Sequence, residues 1–466
     1  MELRNPDIDP MPSFAWKGAP SLGRVPAARS DRASWFGLAV ALLLIGVAIA
    51  VPPLAHWQVH ASLHPEHPFA PLAGWFDARV GPGTPVAVLL AALGVWQGFE
   101  LAGRLGWHGL LMTSYAATVA WTLSLAYVDG RSGLTSEIVN HNEYLPTARR
   151  IHDVPAMLRG FVDRIPADAP GSWATHVAGH PPGALLFFVG LVSIGLGGAL
   201  ASALAVTLVG CTTPVAVLVT LRCLGAEDVA RKVAPFLVLA PAAIWVGVSA
   251  DGVFAAVGAW GLATVAAATV STGRAGVWGW GLLGGLLLGC CLLLSYGLFL
   301  FAPLVVAVLL AGRSWRPLPV VAVGVVVPVL TCAAYGFRLW EAYPVLNDRY
   351  WAGIAAGRPA SYWFWGDLAA LAISAGPALG AGFGSLLAAG RRSPRVVRLL
   401  AGAAAIAVAA ADASRMSKAE VERIWLPFVP WLLLATACLP PRWRRPMLAV
   451  QVVVALLVQH LVLTNW

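Results

Sequence analysis

The sequence predicts an all-α polytopic membrane protein of about 13 transmembrane helices, and three observations carry that reading. Hydrophobic residues make up 59% of the 466 positions and charged residues 11%, with a mean hydropathy of +0.75; a soluble globular chain carries about 25% charged residues. The charge is missing from whole stretches: 36–55, 282–310 and 320–335 contain none. The remaining basic residues fall in short patches between apolar runs, as cytoplasmic loops do.

The first 33 residues are polar and Pro-rich, with Lys17, Arg24, Arg29 and Arg32 ahead of the first apolar run. That lead is too long for a cleaved secretory signal, so the first helix is expected to be retained with its N-terminus in the cytoplasm. Residues 1–33 are expected to be disordered, and 34–466 to form a single transmembrane domain. The spans read as 35–53, 85–103, 108–128, 199–222, 232–249, 253–271, 277–295, 296–311, 318–336, 367–389, 397–411, 424–439 and 446–463.

Alternate loops then contain Arg104; Arg222, Arg231 and Lys232; Arg274; Arg313 and Arg316; Arg391, Arg392, Arg395 and Arg398; and Arg442, Arg444 and Arg445. All fall on the side of the N-terminus, which the positive-inside rule makes cytoplasmic, although Arg79 and several arginines of the longer loops fall outside. A crossing by 181–197 would flip every later loop, so that segment is expected to lie along the outer surface as a juxtamembrane helix; a full span is the alternative. Two substantial loops face outside, 129–198 including the juxtamembrane segment and 336–366, with short outer turns at 249–252 and 412–423.

The net charge of +9 does not mark a nucleic-acid binder, because the basic residues share no soluble face. No Walker motif appears and the cytoplasmic loops are short. The six cysteines sit in or at the ends of apolar runs and read as small packing residues.

Chemistry is therefore sought outside. The first loop carries Asn142-Glu143-Tyr144-Leu145-Pro146 and later His176-Val-Ala-Gly-His180-Pro181-Pro182. The prolines fix the entry to a helix and hold His180 at its mouth; a solvated loop with a Pro-started helix is the plainer account. Asp251 follows almost without a loop after the preceding span and reads either as a helix N-cap or as a polar group lining an outer cavity. The second loop holds Arg349 and Arg358 among Trp351 and Tyr362-Trp363-Phe364-Trp365, either an interfacial aromatic belt or a place for phosphate. The densest polar run is Ser417-Lys418-Ala-Glu420-Val-Glu422-Arg423-Ile-Trp425-Leu-Pro427; as a helix it groups Lys418, Glu422 and Arg423 within about one and a half turns, suited to a lipid phosphate or to a salt-bridged helix start.

Taken in order, Glu143, His180-Pro181-Pro182, Asp251 and Arg423-Ile-Trp-Leu-Pro427 resemble the C-fold (GT-C) membrane glycosyltransferases that use polyprenyl-phosphate sugars, over roughly 129–440. The runs 142–146 and 417–427 are similar, more narrowly, to actinobacterial methylthioxylosyltransferases of lipoarabinomannan. The chain departs from the family in having Asn142-Glu143 where Asp-Glu is usual, and two extra helices before the long loop, which leaves Asp77 as a second candidate base.

The resemblance implies a sugar moved from a polyprenyl-phosphate donor to a glycan or glycolipid acceptor at the plasma membrane, with inversion. Glu143 would be the base. Arg423, Lys418, Arg349 and His180 would face the donor phosphate, and Asn142, Tyr144, Asp251, Glu420 and Glu422 would line the cavity. No cofactor is implied with certainty; no ligand spacing marks a metal, though the outer acids leave room for a divalent ion. A transporter or flippase is the competing class, and a ligase or polymerase of lipid-linked glycans would use a similar outer surface. Against transport, no clear internal repeat is found and the ionisable residues collect at outer helix ends.

Overall fold

A computed structural model describes residues 27–61 and 68–464. The disorder expected of 1–33 lies outside the described residues as far as 26, while 27–33 already belong to the first helix, Ala27–Leu54.

Among the described residues the fold is helical, with one small sheet of two three-residue strands, Gly74–Phe76 and Val462–Thr464, paired antiparallel. Among them seven helices are long and apolar enough to cross a membrane, or up to nine if each of two bent pairs is one span. The seven lie at Asp31–Leu54, Thr84–Arg104, Trp107–Gly133, Ala199–Cys223, Ala250–Val270, Arg274–Leu294 and Arg395–Ser414.

Of the other expected spans, 446–463 falls on one continuous helix, Pro441–Leu461, and 318–336 on Leu318–Ala334; others are interrupted, and proline is the recurring cause, because it lacks an N–H and clashes with the preceding turn. The expected span 232–249 stops as Glu227–Val238 ahead of Pro241 and resumes only as Ala243–Val246. The span 424–439 breaks into Val421–Ile424, Val429–Leu432 and a 3₁₀ stretch Leu433–Cys438, with Pro427 and Pro430 between. The span 367–389 is two helices, Ala360–Ala375 and Ala378–Arg392, bent by 101°. The bend sits at Gly376, whose φ of +87° favours glycine and where a Cβ would lie 2.7 Å from Gln451. Within the loop expected at 336–366, residues Leu339–Ala352 form a helix turned 77° from Leu318–Ala334, burying Ala342 and exposing Trp340 and Tyr343. Segment 181–197 contains a 12-residue helix, Pro182–Ser193; at 1.5 Å per residue it is about 18 Å long, short of a bilayer core.

Small residues let the helices approach. Gly281, Gly285 and Gly289 of Arg274–Leu294 face Leu318–Ala334, and a Cβ at Gly285 would come 2.3 Å from the Val321 carbonyl. Such contact gives dispersion where lipid removes the hydrophobic drive.

The basic turns gather at one end of the bundle. Arg231 donates to the Ala102 and Leu105 carbonyls at 2.7 and 2.9 Å, Arg445 pairs with Glu100 at 2.5 Å, and Arg442 and Trp443 both reach Asp31 at 3.0 Å. At the other end Gln459 reaches Asp129 at 3.1 Å and His460 reaches Thr84 at 2.8 Å. The polar constellations also lie at that end.

Candidate functional site

The first-loop segment is fixed by Asn140 and Asn142. The Asn140 side chain accepts the Asn142 N–H at 3.1 Å, an Asx turn, and its carbonyl accepts the Glu143 N–H at 2.9 Å. The Asn142 carbonyl accepts the His176 N–H at 3.1 Å, and its side chain accepts Thr175 Oγ1 at 3.0 Å. Asn142 thereby ties the two loop motifs together and brings His176 Nδ1 to 2.5 Å from Glu143 Oε1.

His176 joins this loop to the rest of the cluster. Its Nε2 lies 3.3 Å from an Arg423 terminal nitrogen. A guanidinium only donates, so Nε2 accepts and the ring proton sits on Nδ1, directed at the Glu143 carboxylate. The same Arg423 nitrogen donates to Glu420 Oε2 at 3.0 Å, and the other donates to Asp251 Oδ2 at 3.0 Å. Glu420 Oε1 in turn accepts from Arg358 at 3.0 Å. Arg358, itself buried, donates to the Lys418 carbonyl at 2.6 Å and the His60 carbonyl at 3.2 Å. Five stretches of chain thus meet in one buried array running Glu143–His176–Arg423–Glu420–Arg358, with Asp251 at its side.

Asp251 is not the N-cap of its helix. Ser249 takes that place, accepting the Asp251 N–H at 3.1 Å, which leaves the carboxylate for Arg423. The 417–427 run is not one helix either: Arg415, Ala419 and Glu420 adopt left-handed φ of 59°, 64° and 61°, and only Val421–Ile424 is helical. These kinks turn Glu420 and Arg423 to one side and Glu422 to another.

Burial raises the Glu143 carboxyl, but the hydrogen bond from His176, with the Arg423 guanidinium nearby, outweighs it and holds the group below the usual carboxylate range. Burial likewise opposes Glu420, and the guanidiniums of Arg358 and Arg423 bring it down to about 2. Burial lowers Arg423, yet Asp251, Glu420 and Glu143 raise it further still. Counting Glu143, Asp251 and Glu420 against Arg423 and Arg358, the array carries a formal charge of −1. It can hold a carboxylate ready to take a proton; its arginines are already engaged by carboxylates.

The other expected residues fall as follows. Tyr144 hydroxyl lies 2.8 Å from His180 Nδ1, which is also 2.9 Å from the His176 carbonyl, and Tyr144 stacks on Phe188. Burial pushes His180 down to about 4, so this imidazole is neutral. Lys418 donates to the Arg358 carbonyl at 2.8 Å and lies over the Trp351 ring. Glu422 is turned away from the array: Oε1 accepts the Ala73 N–H at 2.8 Å, and burial pushes the group up to about 7. Arg349 does not join either. It holds the first loop by donating to the Ile165 carbonyl, to Ser172 Oγ at 3.0 Å and to the Trp173 carbonyl at 3.3 Å. Asp77 is exposed, beside the strand that pairs with Val462–Thr464.

His176 and Arg358 are the two array members that sequence reasoning passed over as site residues. The spacing of His176 and His180, one helical turn apart, was a signal for the first. Arg358 shares with Arg349 the aromatic second loop read as a place for phosphate, but nothing in its Gly357-Arg358-Pro359 setting sets it above Arg349. Among the described residues no group of three or more His, Cys, Asp or Glu is placed to share a metal ion. No known protein family, curated protein or solved structure matches the chain.

Proposed function

We propose that the chain is a membrane glycosyltransferase that moves a sugar from a polyprenyl-phosphate donor to a cell-envelope glycan outside the plasma membrane. The narrower form of this reading is methylthioxylose transfer to lipoarabinomannan. The observation that carries the proposal is the Glu143–His176 contact of 2.5 Å at the end of the bundle opposite the basic turns. An ionised, largely buried carboxylate, oriented by a neutral imidazole, is what removal of a hydroxyl proton needs.

In the step proposed, the acceptor hydroxyl gives its proton to Glu143 while its oxygen bonds to the anomeric carbon. The bond from that carbon to the phosphate oxygen breaks, and the phosphate leaves with the electron pair. The leaving group departs as an anion, so no second carboxylic acid is required, unlike glycoside hydrolysis. Arg423 is the cation nearest the base. Its charge, shared between Asp251 and Glu420, steadies the array. One base facing one leaving group gives inversion.

In this reading the basic end is cytoplasmic and the chain crosses thirteen times, the broken segments included. Impermeant maleimide on cells carrying a cysteine at exposed position 391 or exposed position 415 tests the orientation. Labelling at 415 only is expected; labelling at 391 only would reverse it. Transfer itself is tested with membranes, a labelled polyprenyl-phosphate pentose or hexose and envelope glycan. Movement of the lipid across reconstituted vesicles without sugar transfer would favour a flippase instead.

A further inference from the structure

Beside the array a cleft of about 320 Å³ opens at the start of helix Ala360–Ala375. Its walls include Phe364, Trp365, Asp367, Asp412, Arg415 and Lys418. Cavities from about 300 Å³ upward are the size of ordinary small-molecule sites. Asp367 is 1% exposed, Lys418 6% and Asp412 8%, so three of the four charged groups are built into the fold. Asp367 and Asp412 both sit within apolar membrane-length segments, where a carboxylate is costly unless used. The Asp412 carboxylate has no hydrogen-bond or ion-pair partner among the described residues.

The charges select the ligand. Asp367 is already engaged, its Oδ1 accepting the Ala419 N–H at 3.0 Å, so Asp412, Arg415 and Lys418 are the charged groups left to a ligand. A phosphate would face Asp412 as a like charge, and an ammonium would face Arg415 and Lys418. An acyl chain would strip water from all three and return no hydrogen bond. A neutral polyhydroxylated ring satisfies all three: its hydroxyls donate to Asp412 and accept from Arg415 and Lys418, while its C–H face covers Phe364 and Trp365. Lys418 keeps donors in reserve, since among the described residues its ammonium makes one hydrogen bond, to the Arg358 carbonyl.

We infer that this cleft is a saccharide subsite, taking one or two neutral sugar units of the glycan acceptor away from the reacting hydroxyl. Its wall continues into the array, because Arg358 bonds the Lys418 carbonyl on one side and Glu420 on the other. The acceptor role rests on the transferase reading; saccharide binding does not.

The test is calorimetry of the full chain in lipid nanodiscs with maltose, mannobiose and xylobiose, and with inorganic phosphate and spermidine. At least one disaccharide is expected to bind, tenfold or more weaker in Asp412→Asn and in Phe364→Ala, and unchanged in Asp77→Asn. Phe364 is 61% exposed, so its variant keeps the test valid if Asp412→Asn fails to fold. Binding of none of the three sugars, phosphate binding lost in Lys418→Gln, or sugar binding indifferent to both substitutions overturns the subsite. Disaccharide binding that needs Asp412 in a protein that transfers no sugar keeps the subsite and removes the transferase reading. Transfer whose acceptor KM is unmoved by Asp412→Asn does the reverse.

Discussion

The guanidinium of Arg423 meets the carboxylate of Asp251 at 3.0 Å although 172 positions of sequence separate them. Both side chains are at most 10% exposed. Truncating one partner of such a pair leaves the other charge buried and alone, which costs about 3–5 kcal/mol. Arg423→Ala is therefore expected to lower the thermal midpoint in detergent as well as activity. Asp251→Asn should cost less, because Glu420 still balances the guanidinium. Arg423→Lys keeps the charge but cannot span Asp251, Glu420 and His176 with one ammonium, so only part of the stability returns. A midpoint unchanged in Arg423→Ala would show that the pair contributes nothing.

His176 is expected to act through Glu143 and not on substrate. Asn places an amide donor where Nδ1 stood, and Gln places an acceptor nearer to Nε2. His176→Asn should thus preserve the bond to Glu143 and keep a sizeable share of transfer, while His176→Gln should preserve the Arg423 contact and lose more. Donor KM should move little in either, with the loss falling on kcat. Equal, near-complete activity of both variants would remove His176 from the site.

Much of this arrangement was legible in the sequence, and the boundary is physical. Long uncharged runs report their own burial in lipid, so the helical membrane architecture follows from composition alone. Glu143, His180, Asp251 and Arg423 were visible because ionisable groups at the mouths of apolar helices need an explanation. Partners were not visible. Whether Arg349 or Arg358 joins the array depends on how the 336–366 segment bends, and Leu339–Ala352 turns Arg349 toward the carbonyls of Ile165 and Trp173. The left-handed backbone at Ala419 and Glu420 sends adjacent Glu422 and Arg423 to different surroundings, which no helical spacing rule anticipates.

Glu422 gives a pH prediction. Its carboxyl, ordinarily near 4.5, is pushed up to about 7 by burial, with Glu420 adding to the shift. Below 4.5 the folded and unfolded states are both protonated. Between 4.5 and about 7 only the folded state keeps the proton, so stability falls as pH rises and then levels off. At about 1.4 kcal/mol per pH unit, the loss is on the order of 3 kcal/mol. His180 works the other way: lowered to about 4 by burial, it adds stability as pH rises toward 6.5. Comparing Glu422→Gln with the parent isolates the first effect. Gln keeps the bond to the Ala73 N–H, so the variant should gain on the parent in thermal midpoint from pH 5 to pH 8. Parallel curves would mean that Glu422 is ionised throughout.

The base assignment carries the most weight. Among the described residues Glu143 is the carboxylate in contact with an imidazole, which donates to Oε1 and leaves Oε2 for a substrate proton. Glu143→Gln preserves size and can still accept from His176 Nδ1, but cannot take a proton. It should fold with a thermal midpoint lowered only modestly by loss of the ionised carboxylate, bind the lipid donor, and transfer sugar at least a hundredfold more slowly, within the range that general bases contribute. Asp77 is exposed and stands apart from the array, so Asp77→Asn should transfer normally. Asp251 is committed to Arg423, so Asp251→Asn should lose activity together with stability rather than alone. If Glu143→Gln transfers at the parental rate while Asp77→Asn or a well-folded Asp251→Asn is inactive, proton removal belongs to that other carboxylate. The His176 contact would then serve only to hold the two halves of the first loop together.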